Sequence, residues 1–312
     1  NLGGDAKIDQ NTFLLEPVSA ENLVNNRNSR NFWCNVKGIG SWSLTGHSAE
    51  ELSKKFTEMQ DDSEVTAGFM WQKTTRESKK YQLRGEILSF IPVDKNVEIM
   101  LVTITNTGRM AQTVTPTAAI PLYGRSADNI RDHRHVTSLL HRIETTDTGV
   151  LVTPTLSFDE RGHQVNHMTY YCVGWSGNGE KPVDFYPTAE DFVGEGGNFE
   201  RPYAIVKNAE GVKAGTKIEG LEAVGGLHFS EITLEPEEEC SYLIFTGITE
   251  DIQEIRNLSK TYTTREKVLE ELEKTKAYWQ EKVNVAYHTG DSDFNQFMHW
   301  VSFQPILRRI YG

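Results

Sequence analysis

The sequence predicts a mainly β protein, a large antiparallel β-sandwich followed by helices. Three observations carry that reading. From about Asp5 to Gly247, short apolar runs alternate with Gly, Asn, Asp and Pro breaks. Within that region, 98–106 reads Glu-Ile-Met-Leu-Val-Thr-Ile-Thr-Asn, with β-branched residues spaced for a pleated, half-buried surface and Asn106-Thr-Gly108 supplying a turn. After Gly247 the apolar spacing turns helical.

Taken in chain order, strands are expected at 31–35, 98–105, 113–122, 168–175 and 241–246. One helical excursion interrupts them at 48–60, where Ser48 and Glu51 form an S-x-x-E capping box ahead of Leu52, Lys55 and Phe56. A second box, Thr263 with Glu266, opens a helix that runs to Val283. Its buried face is expected to carry Val268, Leu269, Leu272, Thr275, Tyr278 or Trp279, and Val283. A third amphipathic segment starts at Asp291, with Phe294, Phe297, Met298, Val301 and Phe303 or Pro305 near one stripe. Three units follow: a sandwich over 1–247, a helical linker over 248–290, and a further helix over 291–312.

At 312 residues the chain can bury a full-sized core. Its net charge is −12 with scattered basic residues, which speaks against nucleic acid or an anionic membrane as partner. Mean hydropathy is −0.49, and no apolar run reaches the length of a membrane span. Cys34, Cys172 and Cys240 are odd in number and far apart, so reduced cytoplasmic thiols are expected rather than a disulfide framework or a C-x-x-C site. The start, Asn-Leu-Gly-Gly-Asp, has neither an initiator Met nor a signal segment, and the chain is read as a piece of a longer polypeptide.

Two polar clusters stand out. Between Tyr123 and His141 the chain collects Arg125, Asp128, Asn129, Arg131, Asp132, His133, Arg134 and His135 between apolar segments. That mixture of donors and acceptors suits a surface gripping a polyhydroxylated or anionic ligand, or docking a partner subunit; a solvated loop with internal ion pairs is the plain alternative. His133 and His135, at i and i+2, share one face if the backbone is a strand, but no third ligand stands at metal spacing, so no metal is expected. The second cluster is Asp159, Glu160, Arg161 and His163, on a hairpin closed by Gly162. Arg161 is the residue best suited to ligand contact, because its planar fork bridges two hydroxyls or a phosphate.

Other chemistry-bearing patterns are weaker. Segment 190–199 has glycines but neither Lys-Ser/Thr nor Rossmann spacing, so it reads as a long shaped loop. Trp33, Trp42, Trp71 and Trp175 could stack on sugar rings, but tryptophans in strand-like segments are more often core. No self-sufficient catalytic motif occurs.

Segments 11–17, 29–33, 123–143, 156–163, 191–197 and 300–312 together resemble the N-terminal part of glycoside hydrolase family 94, which contains cellobiose and β-1,2-oligoglucan phosphorylases. The resemblance implies a galactose-mutarotase-like supersandwich, a helical linker, and then an (α/α)6 barrel whose first helix is 291–312 and whose catalytic Asp lies beyond Gly312. It implies that this chain holds no catalytic residue of its own. In the full enzyme inorganic phosphate is co-substrate and there is no cofactor. It further implies a homodimer acting on an oligosaccharide, with Asp159, Glu160, Arg161 and His163 as acceptor-sugar contacts. Arg125, Asp128, Arg131, His133, Arg134 and His135 then form a docking surface for the barrel or a partner subunit. The alternative is an independent carbohydrate-binding or mutarotase-like sandwich, which needs a complete pocket within the first 250 residues.

Overall fold

The computed structural model describes residues 12–15, 30–126, 134–159 and 162–311. Its central strand, Val97–Asn106, explains the rest of the architecture. Val97, Ile99 and Leu101 point to one side while Met100, Val102 and Ile104 point to the other, and all six are buried. A strand buried on both faces needs two apolar covers. The half-buried surface expected from its sequence is therefore corrected, and a run apolar at nearly every position is the pattern such a strand requires.

The strand lies inside a nine-stranded antiparallel sheet. On one side Val97–Asn106 pairs with Glu239–Thr249, which pairs with Thr169–Ser176, then Gly149–Val152, Arg142–Thr145 and the edge strand Lys217–Glu219. On the other side come Leu83–Phe90, Trp71–Ser78 and the opposite edge, Asp62–Gly68. A six-stranded antiparallel sheet faces it, with Asp184–Thr188, Ala223–His228, Gln112–Leu122, Asn31–Val36 and Gly40–Ser43 in order. Ile232–Leu234 pairs with the start of Gln112–Leu122, and Ala223–His228 with its second half. Pro116 falls in the gap where one partner strand hands over to the other, so its missing N–H leaves no ladder bond broken there.

Phe32, Trp42, Leu83, Val102, Ile120, Tyr170, Leu227 and Ile244 fill the space between the sheets. On the outer face of the large sheet, Ile99, Leu101, Val173, Trp175 and Phe245 pack under Ile255, Leu258, Tyr262, Val268 and Leu272 from two helices, Ile252–Thr261 and Arg265–Lys282. Each such side chain taken from water contributes about 1.5–3 kcal/mol, so the helices stabilise the sheet as well as cover it. The outer face of the small sheet is covered around Trp33, Tyr186 and Val224 by Ala189, Phe192, Ala204 and Ile205. Those residues sit on two short helices, Ala189–Val193 and Tyr203–Lys207. The antiparallel sandwich with a helical C-terminal part matches the fold class expected from the sequence.

Helix boundaries follow capping chemistry with one shift. Ser48 Oγ accepts from the Glu51 N–H at 3.2 Å and opens Ala49–Ser53, as the S-x-x-E pattern predicts. The later helix starts one residue beyond the expected cap, at Thr264 rather than Thr263. Segment 190–199, expected as a loop, begins as helix, because Thr188 Oγ1 accepts from the Asp191 N–H at 3.1 Å and donates to Asp191 Oδ2 at 2.7 Å.

The helix Ser292–Tyr311 is held by a clamp. Phe69, at the tip joining Asp62–Gly68 to Trp71–Ser78, stacks on Phe303 at 4.6 Å and on Trp300 at 5.8 Å between ring centroids, and meets His299 edge-on at 4.9 Å. Trp279 also meets Phe303, edge-on at 5.2 Å. The buried contact is thus Phe303, while Phe294, Phe297 and Val301 of the expected stripe remain exposed.

Candidate functional site

The short strands that border the two polar clusters singled out in the sequence lie together, Leu156–Asp159 against Arg125–Ser126. The strand Gln112–Leu122 runs into Tyr123, buried, whose N–H donates to Leu14 O at 2.8 Å. Gly124 follows at φ +56°, and a Cβ there would sit 3.2 Å from His141 Nε2. Glycine is thus set by both backbone and space. Arg125–Ser126 then pairs antiparallel with Thr12–Phe13.

The far end of the polar segment returns to the same spot. Arg134–Leu139 is a helix with Thr137 and Ser138 buried, and it leads to His141, only 2% exposed. His141 Nε2 lies 3.1 Å from Tyr123 O and Nδ1 3.2 Å from Leu221 O. One imidazole thus ties the entry and exit of the polar segment to each other and to the strand bearing Ala223. Burial pushes the His141 pKa down, and the facing carbonyls only partly counter that.

Beside it stands a two-stranded arm. Leu156–Asp159 pairs with Gly162–Val165, Phe158 opposite His163 and Asp159 opposite Gly162. Gly162 takes φ +109° with open space around it, and residues 162–165 are exposed throughout. The base is held: Asn166 is buried, its N–H donates to Thr155 O at 3.3 Å and its Nδ2 to Met168 O at 2.7 Å, while the Thr155 N–H donates to Leu140 O at 2.9 Å. Fixed strands and an exposed end suit a finger that reaches a ligand or a neighbouring surface.

Of the residues expected here, His163 stands exposed on the arm and Asp159 ends its first strand. Glu160 and Arg161 lie outside the described residues, as do Asp128, Arg131 and His133. Arg125 belongs to a short strand, and Arg134 and His135 to the helix. His135 is helical, and the His133–His135 spacing argument falls in part on residues outside those described. Among the described residues no three His, Cys, Asp or Glu side chains converge on a metal-sized space.

His141 and Asn166, which hold the two clusters in place, were not singled out in the sequence. The signal available was their position, each at the junction of a polar run and an apolar strand. Trp33, Trp42 and Trp175 are core residues, and Trp71 is half-buried with Lys276 Nζ 4.7 Å from its ring centre, so none offers an open stacking face.

A second polar group crosses the outer face of the small sheet. Ser43, Trp33, Thr117, His228 and Asp184 occupy one register row over five strands. His228 Nδ1 lies 2.7 Å from Asp184 Oδ1. His228 Nε2 and Trp33 Nε1, both buried, have no hydrogen-bond partner among the described residues.

Comparison with known proteins completes the picture. Residues 15–265 match the family described as Glycosyl hydrolase 94, supersandwich domain. No curated protein sequence matches the chain. Among solved structures, a bacterial glucoamylase complexed with acarbose is 9% identical with a TM-score of 0.48, covering 89% of this chain and 33% of its own. A putative kojibiose phosphorylase from human microbiome is 8% identical at 0.49, covering 88% and 30%. A putative aldose 1-epimerase from Escherichia coli K12 is 9% identical at 0.35, covering 76% and 89%. The chain thus spans about a third of the length of the first two. No described helix is long and apolar enough to cross a membrane.

Proposed function

Since the chain belongs to the glycosyl hydrolase 94 family through its supersandwich domain, we propose that it is the N-terminal portion of an inverting glycoside phosphorylase acting on a β-linked gluco-oligosaccharide. The family match, which spans both sheets and reaches the second covering helix, is the observation that carries this reading. The reaction is reversible phosphorolysis: an acid protonates the glycosidic oxygen, phosphate attacks the anomeric carbon from the opposite face, and sugar 1-phosphate and a shortened acceptor leave. The acid is not assigned to this chain.

What the chain contributes is binding and orientation. The arm bearing Asp159, Glu160, Arg161 and His163 contacts the acceptor sugar, and the 125–135 segment docks on the catalytic barrel or on a neighbouring subunit. The fixed base of the arm at Asn166 supports this role, because a contact residue positions a sugar only if its own mount is rigid. An independent sugar-binding sandwich is less well supported: the outer sheet faces, where a broad sugar groove would lie, are covered by 252–282 on one side and 189–207 on the other.

The test is phosphate release from sugar 1-phosphate with glucose, cellobiose or sophorose as acceptor, run on this chain and on a polypeptide continued through a barrel. Release by the longer polypeptide alone supports the proposal, and release by this chain alone overturns it. In the longer polypeptide Arg161→Ala raises the acceptor KM about tenfold or more with kcat less affected; an unchanged KM removes the arm from the acceptor site.

A further inference from the structure

On the outer face of the small sheet, Trp33 Nε1 and His228 Nε2 are both sealed from solvent and both lack a hydrogen-bond partner among the described residues. The two residues flank Thr117 in one register row, and none of the three is more than 7% exposed. The neighbouring rows are roofed by the short helix Tyr203–Lys207. In one, Asn35, the register partner of Thr115, donates from Nδ2 to Ile205 O at 2.8 Å; in the other, Ala119 belongs to one apolar cluster with Ala204 and Ile205. Thr115, Thr117 and Ala119 share one face of their strand, so short side chains floor the ground between the indole and the imidazole.

The two nitrogens are complementary and yet not joined. An indole N–H only donates. His228 Nδ1 lies 2.7 Å from Asp184 Oδ1, an acceptor, so Nδ1 carries the proton of the neutral ring and Nε2 is left to accept. The carboxylate polarises the ring through that bond and strengthens Nε2 as an acceptor. Buried donors and acceptors are rarely left unmet. What satisfies both atoms is a molecule that accepts and donates, is neutral, and is small enough for a site roofed by a helix. We infer that internal water binds over Thr117, accepting from Trp33 Nε1–H and donating to His228 Nε2, as one molecule or a bonded pair. The linked groups then run from Lys213, 3.8 Å from Asp184 Oδ2, through Asp184 and His228 to Trp33. They tie Asp184–Thr188, Ala223–His228 and Asn31–Val36 together by side chains, across Gln112–Leu122. The site requires neither sugar nor the catalytic reading and is measured on the chain itself.

Crystals of the chain that resolve ordered water are expected to show it within about 3.2 Å of both nitrogens. In solution, NOE spectra of the nitrogen-labelled chain are expected to give a water cross-peak at the Trp33 indole N–H, identified by its loss in Trp33→Phe. Trp175, whose buried indole N–H donates to Tyr262 O at 3.0 Å, gives none and is the internal control. Thr117→Val removes the neighbouring hydroxyl, which exchanges its own proton with solvent; a bound water keeps its two ring partners there, so the cross-peak persists. Bromide, located by anomalous scattering, is expected to stay out. The inference is overturned by crystals without ordered water at the two nitrogens, a cross-peak no stronger at Trp33 than at Trp175, its loss in Thr117→Val, or a bromide peak between the rings. That last outcome would mean an anion held by two N–H donors, with His228 protonated at both nitrogens.

Discussion

Asp184 and His228 face each other across two paired strands with 2.7 Å between Oδ1 and Nδ1, both nearly sealed from solvent, and Lys213 Nζ stands 3.8 Å from the other carboxylate oxygen. Removing the carboxylate leaves a buried ring with neither nitrogen partnered. Asp184→Ala is expected to cost about 2–3 kcal/mol in urea unfolding, and Asp184→Ala with His228→Leu less than the single change. A larger loss in the double variant would refute the pairing as the source.

His141 gives the protein a pH dependence of known sign. Its pKa in the folded chain lies below that of the unfolded chain because burial resists the charge, so its contribution is complete above about pH 6.5 and is lost as pH falls below that. Urea midpoints should therefore drop from pH 7 toward pH 5, and His141→Gln should flatten the slope. His47 shifts the same way, so His47→Gln is the control that separates the two.

Glu50 supplies a second acid limb. Partial burial raises its pKa, but hydrogen bonds from Lys80 and Lys54, with Tyr81 beside them, outweigh this and hold it at about 2. Its contribution is present above the usual carboxylate range and fades as pH falls from about 4.5 toward 2. Glu50→Gln should lower stability at pH 7 and leave it unchanged at pH 2.

At Gly124 the positive φ and the approach of His141 both disfavour a side chain. Gly124→Ala is expected to cost about 1–2 kcal/mol and to loosen the polar end, read as faster amide exchange at Tyr123, whose N–H donates to Leu14 O. Unchanged exchange would mean that the turn is held elsewhere.

Phe69→Ala should release the helix Ser292–Tyr311 from the sandwich while leaving the sheets intact. The readouts are a red-shifted tryptophan emission from Trp300 and Trp279 and rapid proteolysis between Val283 and Asp291.

Much of this fold was legible because its strands carry their burial in their composition. The 98–106 run marked a strand at once, though a half-buried one, and Ser48 with Glu51 marked a helix start. What one strand cannot show is the second cover: the outer half of its apolar residues meets helices more than 150 positions away, and no local periodicity encodes that. The candidate site was legible as two polar runs but not as one place, because the link between them is a backbone contact, Leu156–Asp159 against Arg125–Ser126, and a single buried imidazole whose two nitrogens lie 3.1 and 3.2 Å from the carbonyls of Tyr123 and Leu221. The arm residues Glu160 and Arg161 lie outside the described residues and stay expectations drawn from sequence and family.

The double-faced burial of Val97–Asn106 and Glu239–Thr249 also sets an order of events during synthesis. Both strands are synthesised before Ile255, Leu258, Val268 and Leu272: Leu272 follows Phe245 by 27 residues, and Ile255 follows Ile99 and Leu101 by more than 150, so all three stand unroofed on a growing chain until then. A nascent chain stalled at that stage is an aggregation hazard and a substrate for chaperones, and a polypeptide terminated at Gly247 would carry that vulnerability permanently.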